Sequence, residues 1–241
     1  MRVVILAAGE GRRLLPLTKS IPKCMIEIQG KPILYYALEG LKKAGIEEED
    51  IVIIAGHRKE AIEENISKKI QVVFNPEYHR KNNIYSLYMA KEFVSEDILI
   101  LNSDVMFHPG MIEKIMKVSL ESSVMVDMRK NLAKEDMKVV CKEKRLKRIA
   151  KTIPLSEAKG EYIGIARFRK KALFSLFSKI EEILANGGEE EWYERAFDEM
   201  TQDVFIECIP TDGLPWIEID TFEDLKKAVE IAKKIRKVLW E

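Results

Sequence analysis

Short apolar runs alternate with stretches of helical period along the first half of this chain. Residues 3–6 are a β-branched apolar run, the mark of a strand buried on both faces. Similar runs at 51–55, 70–74, 98–101 and 124–128 predict further strands. Between them, apolar residues at helical spacing predict helices over 33–41, 61–66, 84–93 and 111–118. Strands alternating with helices of about ten residues imply β-α-β units and a largely parallel sheet. Beyond residue 130 the texture changes. Residues 137–141 and 146–151 read as antiparallel strands around the polar turn 142–145, and 162–168 and 204–209 as further strands. Helices are expected at 172–184, at 189–200 and, closing the chain, at 222–239. No repeat or low-complexity linker appears, so 1–241 reads as a single α/β domain with a first half, 1–130, and a second half, 131–241.

The first strand ends in Leu6 and opens into Ala7, Ala8, Gly9, Glu10 and Gly11. The small residues let a bound group approach the main chain, whose N–H groups can face an anion. Arg12, Arg13, Lys19 and Lys23 bring cations to the same loop. This is a phosphate or nucleotide site in outline. It is not a P-loop, and the dinucleotide fingerprint fails at its third glycine, where Leu14 stands. On the GxG alone, a tight turn with surface charges accounts for the same residues.

Composition narrows the partners. The formal net charge is +0, so no global field argues for nucleic acid or an anionic membrane. The 33% charged content, nearly all Lys, Arg and Glu, leans toward a heat-adapted source with surface ion pairs. Cys24, Cys141 and Cys208 are odd in number and far apart, which predicts neither a disulfide framework nor a zinc site and fits a reducing cytoplasm. Met1-Arg2 leads straight into a core strand without a signal peptide, and no apolar run reaches membrane-spanning length. A cytoplasmic protein is expected.

Several polar residues sit at predicted strand ends. Asp104 follows the strand at 98–101, where ligands of open α/β sheets bind; it can equally form a turn or cap a helix. Asp220 ends the alternating stretch Trp216-Ile217-Glu218-Ile219, and Asp220 or Thr221 can cap the closing helix with Glu223 as partner. Asn82 and Asn83 precede a helix and suit a turn and cap. Gly164 inside a strand suggests a bulge or a close approach by a ligand. Trp192, Tyr193 and Trp216 are either core filler or an aromatic pocket for an ammonium, and Asp212 either caps a turn or pairs with an amine. His57, His79 and His108 have no metal spacing, and nothing supports a nucleophilic enzyme residue.

The run Leu6-Ala7-Ala8-Gly9-x-Gly11-x-Arg13-Leu14-x-Pro16-Leu17-Thr18-x-x-x-Pro22-Lys23-x-Met25 resembles the N-terminal signature of the nucleotidyltransferases that make sugar nucleotides and related activated head groups. Asn82-Asn83-Ile84-Tyr85-Ser86-Leu87-Tyr88 resembles the phosphocholine and aminoethylphosphonate cytidylyltransferases within that group. The resemblance implies a three-layer Rossmann-like fold with a mostly parallel mixed sheet, its first half binding the NTP and its second half the acceptor. It also implies a Mg²⁺-dependent transfer of CMP from CTP to a small phosphorylated or phosphonylated alcohol or amine, with release of pyrophosphate. The alternative is a sugar-1-phosphate nucleotidyltransferase using UTP, dTTP or GTP. Carried onto this chain, the resemblance makes Asp104 and Asp220 the metal carboxylates. Arg13 and Lys23 fall on the phosphates, and Leu6 to Gly9, Gly11 and Arg12 form the nucleotide loop. Asn83 and Ser86 read the cytosine edge. Glu161 and Gly164 lie in the stretch that family members use against the ribose and acceptor. Lys151 is either a solvated lysine or a contact for the acceptor phosphate, and Trp192 and Trp216 are candidates for the acceptor pocket. A homo-oligomer is left open, because the apolar face of the closing helix can serve core or interface.

Overall fold

The computed structural model describes residues 1–129 and 131–240. The first half comprises β1 (Arg2–Ala7), the small hairpin β2 (Glu27–Ile28) and β3 (Lys31–Pro32), α1 (Ile33–Lys43), β4 (Ile51–Ala55), α2 (Lys59–Glu63) and β5 (Gln71–Phe74). It continues through α3 (Asn83–Met89), β6 (Asp97–Asn102), β7 (Val105–Phe107), α4 (Gly110–Met116) and β8 (Ser122–Asp127). The second half holds β9 (Lys138–Lys142), β10 (Arg145–Ala150), β11 (Gly160–Arg169) and α5 (Lys170–Ala185). It ends with α6 (Glu194–Met200), β12 (Glu207–Pro210), β13 (Trp216–Glu218) and α7 (Phe222–Trp240).

Nine strands form one mixed sheet in the order β5-β4-β1-β6-β11-β8-β12-β10-β9. The pairs β5–β4, β4–β1 and β1–β6 are parallel, as β-α-β connections require. β11 comes from the second half yet runs antiparallel between β6 and β8. The alternation of β1 shows how the layers arise. Val4 and Leu6 face a core shared with α3, α5 and α6, while Val3, Ile5 and Ala7 face one shared with α1 and α4. A third cluster lays Ala228, Ala232 and Ile235 of α7 against Ile33 and Tyr36 of α1.

Three expectations need correction. α2 covers only 59–63 of the helix expected over 61–66, and α6 only 194–200 of the one expected from 189. Within α2 only Ile62 is buried, and Ile66 packs against the same core from beyond the helix's end. Cys141 and Cys208 are disulfide-bonded, with Cα atoms 6.6 Å apart. Sixty-seven residues separate them in sequence, but β10 alone lies between their strands in the sheet. Only Cys24 remains a free thiol, and it is buried.

Candidate active site

The loops after β1, β4 and β6 are tied at one end of the parallel strands. The Ser103 N–H donates to the Leu6 carbonyl at 3.2 Å, and the His57 N–H to the Ala8 carbonyl at 3.3 Å. Above them opens a cavity of about 1370 Å³, lined from both halves of the chain. Leu6, Ala7, Ala8, Gly9, Gly11 and Arg12 all line it. The two glycines do different things. A Cβ on Gly9 would meet nothing within 4 Å, so the space over it is open. Gly11 has φ +63°, and a Cβ there would meet Thr18 Cγ2 at 2.9 Å and Lys23 Cβ at 3.1 Å. Gly11 is therefore needed for the turn and for seating Lys23 rather than for a ligand's approach.

Lys23 is brought to the carboxylates by topology. β13 pairs antiparallel with β7, opposing Glu218 to Val105, and the Ile219 N–H donates to the Asp104 carbonyl at 3.0 Å. Asp104, Glu218 and Asp220 thereby offer oxygens that all lie within 4.8 Å of one another. The Lys23 ammonium donates to Asp104 Oδ2 at 2.7 Å and also to Asp220 Oδ1. Arg13 reaches Asp220 Oδ2 at 2.5 Å. Asp104 Oδ1 is buried and has no partner among the described residues.

The electrostatics follow from this packing. Burial pulls the Lys23 ammonium down, but Asp104 and Asp220 more than offset it and hold it above its usual range. Burial raises Asp220, yet Lys23 and Arg13 leave it lower than an ordinary aspartate. Glu218 has no such cation in contact among the described residues; burial, then Asp104 and Asp220, push it up to about 8. Burial pushes the Cys24 thiol up to about 12, so it stays protonated at neutral pH.

Thr221, one of the two expected caps, does cap α7, but with a different partner. The Thr221 N–H donates to Asp224 Oδ2 at 2.8 Å, and the Asp224 N–H returns to Thr221 Oγ1 at 3.3 Å. This reciprocal box has Asp224 as its partner, not Glu223, and it leaves the Asp220 carboxylate free to face Lys23.

Asn83 and Ser86 stand one turn apart on α3 and line the cavity, Ser86 being only 3% exposed. At the other end, Lys151 Nζ lies 4.2 Å above the Trp192 ring. Trp216 donates its Nε1–H to Asp127 at 2.9 Å and is covered by the Arg129 guanidinium at 5.2 Å. Arg129 also contacts the buried Glu161. Gly164 forms the bulge of β11, and a Cβ there would meet the Asn102 amide at 2.7 Å, so the close approach is to Asn102. Two residues left open between a pocket and a structural reading fall on the structural side. Tyr193 is fully buried, its hydroxyl donating to Asn102 Oδ1 at 2.9 Å, and Asp212 pairs with Lys114 at 2.5 Å.

Residues facing the cavity that escaped the sequence reading include Asp127 and Arg129 around Trp216, and two buried carboxylates, Glu218 and Glu194. Glu218 carried a usable signal, since strand alternation puts it on the same side as Asp220. Glu194, buried with an Oε2 that has no partner among the described residues, lies on a short helix with no pattern to mark it.

Residues 2–136 match the sequence family described as Nucleotidyl transferase. The chain is 31% identical to the choline-phosphate cytidylyltransferase of Streptococcus pneumoniae, over 97% of this chain and 99% of that one. It is 29% identical to the CTP:phosphoglutamine cytidylyltransferase of Campylobacter jejuni, over 95% of this chain and 100% of that one. The solved CTP:phosphocholine cytidylyltransferase of S. pneumoniae superposes with a TM-score of 0.79 at 27% identity, covering 95% of this chain and 98% of that one.

Proposed function

The chain belongs to the nucleotidyl transferase family, and from that premise we propose that it is a cytidylyltransferase: CTP and a small phosphorylated or phosphonylated alcohol or amine give the CMP-linked product and pyrophosphate. The observation that carries this reading is the meeting of Lys23, Asp104 and Asp220 at the mouth of β1 and β6. The specific choice of CTP rests on the relatives just described and on the Asn83–Ser86 face.

In the reaction an oxygen of the acceptor phosphate attacks the α-phosphorus of CTP, and the bond to the bridging α-β oxygen breaks. No protein nucleophile is needed; alignment and charge neutralisation suffice. Asp104 and Asp220, with Glu218 beside them, are a hard oxygen set of the kind Mg²⁺ takes, and the orphaned Asp104 Oδ1 leaves a ligand position to fill. When bound, Mg²⁺ supplies charge neutralisation at the α-phosphate. Arg13 and Lys23 hold the triphosphate and steady the leaving pyrophosphate. The open space over Gly9 admits phosphate oxygens to the main chain. Lys151 takes the acceptor phosphate, and Glu161, Gly164, Trp192 and Trp216 shape the pocket for the rest of the acceptor.

The test is pyrophosphate release with Mg²⁺ over a grid of four NTPs against phosphocholine, 2-aminoethylphosphonate, inositol 1-phosphate and glucose 1-phosphate. Turnover is expected in the CTP row, and Asp104→Ala should abolish it. Turnover with UTP and glucose 1-phosphate, and none with CTP, would overturn the reading.

A further inference from the structure

The segment that carries Trp192 is held by the first residues of α3. The Asn82 N–H donates to the Glu189 carbonyl at 2.8 Å, and Asn82 Nδ2 donates to the Glu190 carbonyl at 3.0 Å. From the other side, the Tyr193 N–H donates to Asn83 Oδ1 at 2.9 Å. Among the described residues, the main chain of 189–193 otherwise bonds only to its own neighbours: the Glu191 N–H to Gly188, and the Arg195 and Ala196 N–H groups to the carbonyls of Trp192 and Tyr193. Tyr193 is anchored in the core by its ring and hydroxyl. Trp192 is 43% exposed, so core packing alone does not fix it; it lies between that anchor and Asn82. Asn82 does two jobs with different atoms. Its Oδ1 accepts the Asn83 N–H at 2.7 Å and caps α3, while its N–H and Nδ2 face the 189–190 carbonyls.

We infer that Asn82 is a positioning residue for the acceptor: it clasps residues 189–192 to α3 and so fixes the Trp192 ring beneath Lys151. The inference rests on the proposal that Trp192 and Lys151 border the acceptor pocket. Lys151 Nζ stands 4.2 Å from the centre of that ring, and Trp192 and Glu194 both line the cavity. With the clasp open, an acceptor has to order this wall as it binds, and the cost falls on acceptor affinity. The nucleotide's contacts with the loop after β1 and with the carboxylates are left in place, so nucleotide affinity is spared. The cap and the clasp can be separated, because Asp and Ser cap a helix about as well as Asn does. In Asn82→Asp one oxygen still caps α3, but the other faces the Glu190 carbonyl, and a donor–acceptor pair becomes two acceptors. Asn82→Ser keeps a capping oxygen, removes the amide that reaches Glu190 and adds no charge.

Two measurements on the full chain test this. Amide hydrogen exchange without ligand, read by mass spectrometry, should quicken at least about fivefold over 189–193 in both variants, with α3 unchanged beyond its first turn. Pyrophosphate release is then followed with Mg²⁺, using CTP or UTP and phosphocholine, 2-aminoethylphosphonate, inositol 1-phosphate or glucose 1-phosphate, in the combination that the wild type turns over fastest. The acceptor KM should rise at least about fivefold and the nucleotide KM should stay within about twofold. If Asn82→Asp does not fold, Asn82→Ser carries both measurements. Unchanged exchange over 189–193 would overturn the clasp. Quickened exchange with an unchanged acceptor KM, or a nucleotide KM that rises as much as the acceptor KM, would overturn its role at the acceptor. Fastest turnover with UTP and none with CTP would overturn the cytidylyltransferase reading and leave the clasp standing. A wild type without turnover in any combination would overturn both the proposed function and the acceptor role, while the exchange result still decides whether the clasp exists.

Discussion

At the scale of single residues, the proposed metal site is held together by a cation of its own. Lys23 Nζ bridges Asp104 and Asp220, whose oxygens a divalent ion would also need. Metal and ammonium thus compete until nucleotide phosphates give the ammonium another partner. Without nucleotide, Mn²⁺ should bind Lys23→Met at least about tenfold tighter than the wild type, as followed by electron paramagnetic resonance. Turnover of the same variant should fall by about 100-fold or more, because the phosphates lose their cation. Asp104→Asn should lose Mn²⁺ binding as well. Glu194 makes a different prediction. Burial raises it from 4.5 to about 7, so the folded chain holds its proton more tightly than the unfolded chain does. It therefore costs nothing below about pH 4.5 and destabilises increasingly as pH rises toward 7. Glu194→Gln should stabilise the protein by about 2–3 kcal/mol at pH 7.5 and hardly at all at pH 4.5, read by urea denaturation. A gap between the curves that does not grow with pH would count against a buried, ionised Glu194.

Secondary-structure elements were legible where packing and pattern agree. β1, β4 and β6 are buried on both faces and read as unbroken apolar runs; α1 and α5 show their stripes. The loop signature and both aspartates at strand ends were legible for the same local reason. What stayed hidden depends on which elements lie side by side. That β13 pairs with β7, and so delivers Glu218, is a contact between residues about a hundred positions apart, and no local period announces it. The same holds for Asn82 against the Glu190 carbonyl and for the Cys141–Cys208 bridge, which staples the β9–β10 hairpin to β12. Closing a loop of this length removes much freedom from the unfolded chain, worth up to about 4 kcal/mol. Thiol titration of the denatured, unreduced protein should find one reactive cysteine, rising to three after reduction. Cys208→Ser should lower the melting temperature by about 5 °C or more. Three thiols before reduction would mean that the bridge does not form.

On the scale of the whole molecule, we propose that the two halves fold as one unit and not as separable modules. β11, from residues 160–169, is inserted between β6 and β8, both of which belong to the first half. Without it, β6 and β8 lose their shared neighbour, and apolar residues such as Ile100 and Val124 lose a covering strand. The cavity repeats the pattern: the Gly9 loop and Asp104 come from one half, Asp220 and Trp216 from the other. Unfolding should accordingly be a single transition, coincident by near- and far-ultraviolet circular dichroism, and a fragment of residues 1–130 should stay unfolded. A ligand that touches both halves stabilises that one transition by mass action, about 2.7 kcal/mol at a hundred times its dissociation constant. Mg²⁺ with CTP should therefore raise the melting temperature by roughly 5–10 °C. Asp220→Asn should remove the part of that shift that depends on Mg²⁺, although Asp220 is 207 residues from Arg13 in sequence. Two separate transitions, with nucleotide moving only the first, would show instead that the first half folds and binds alone.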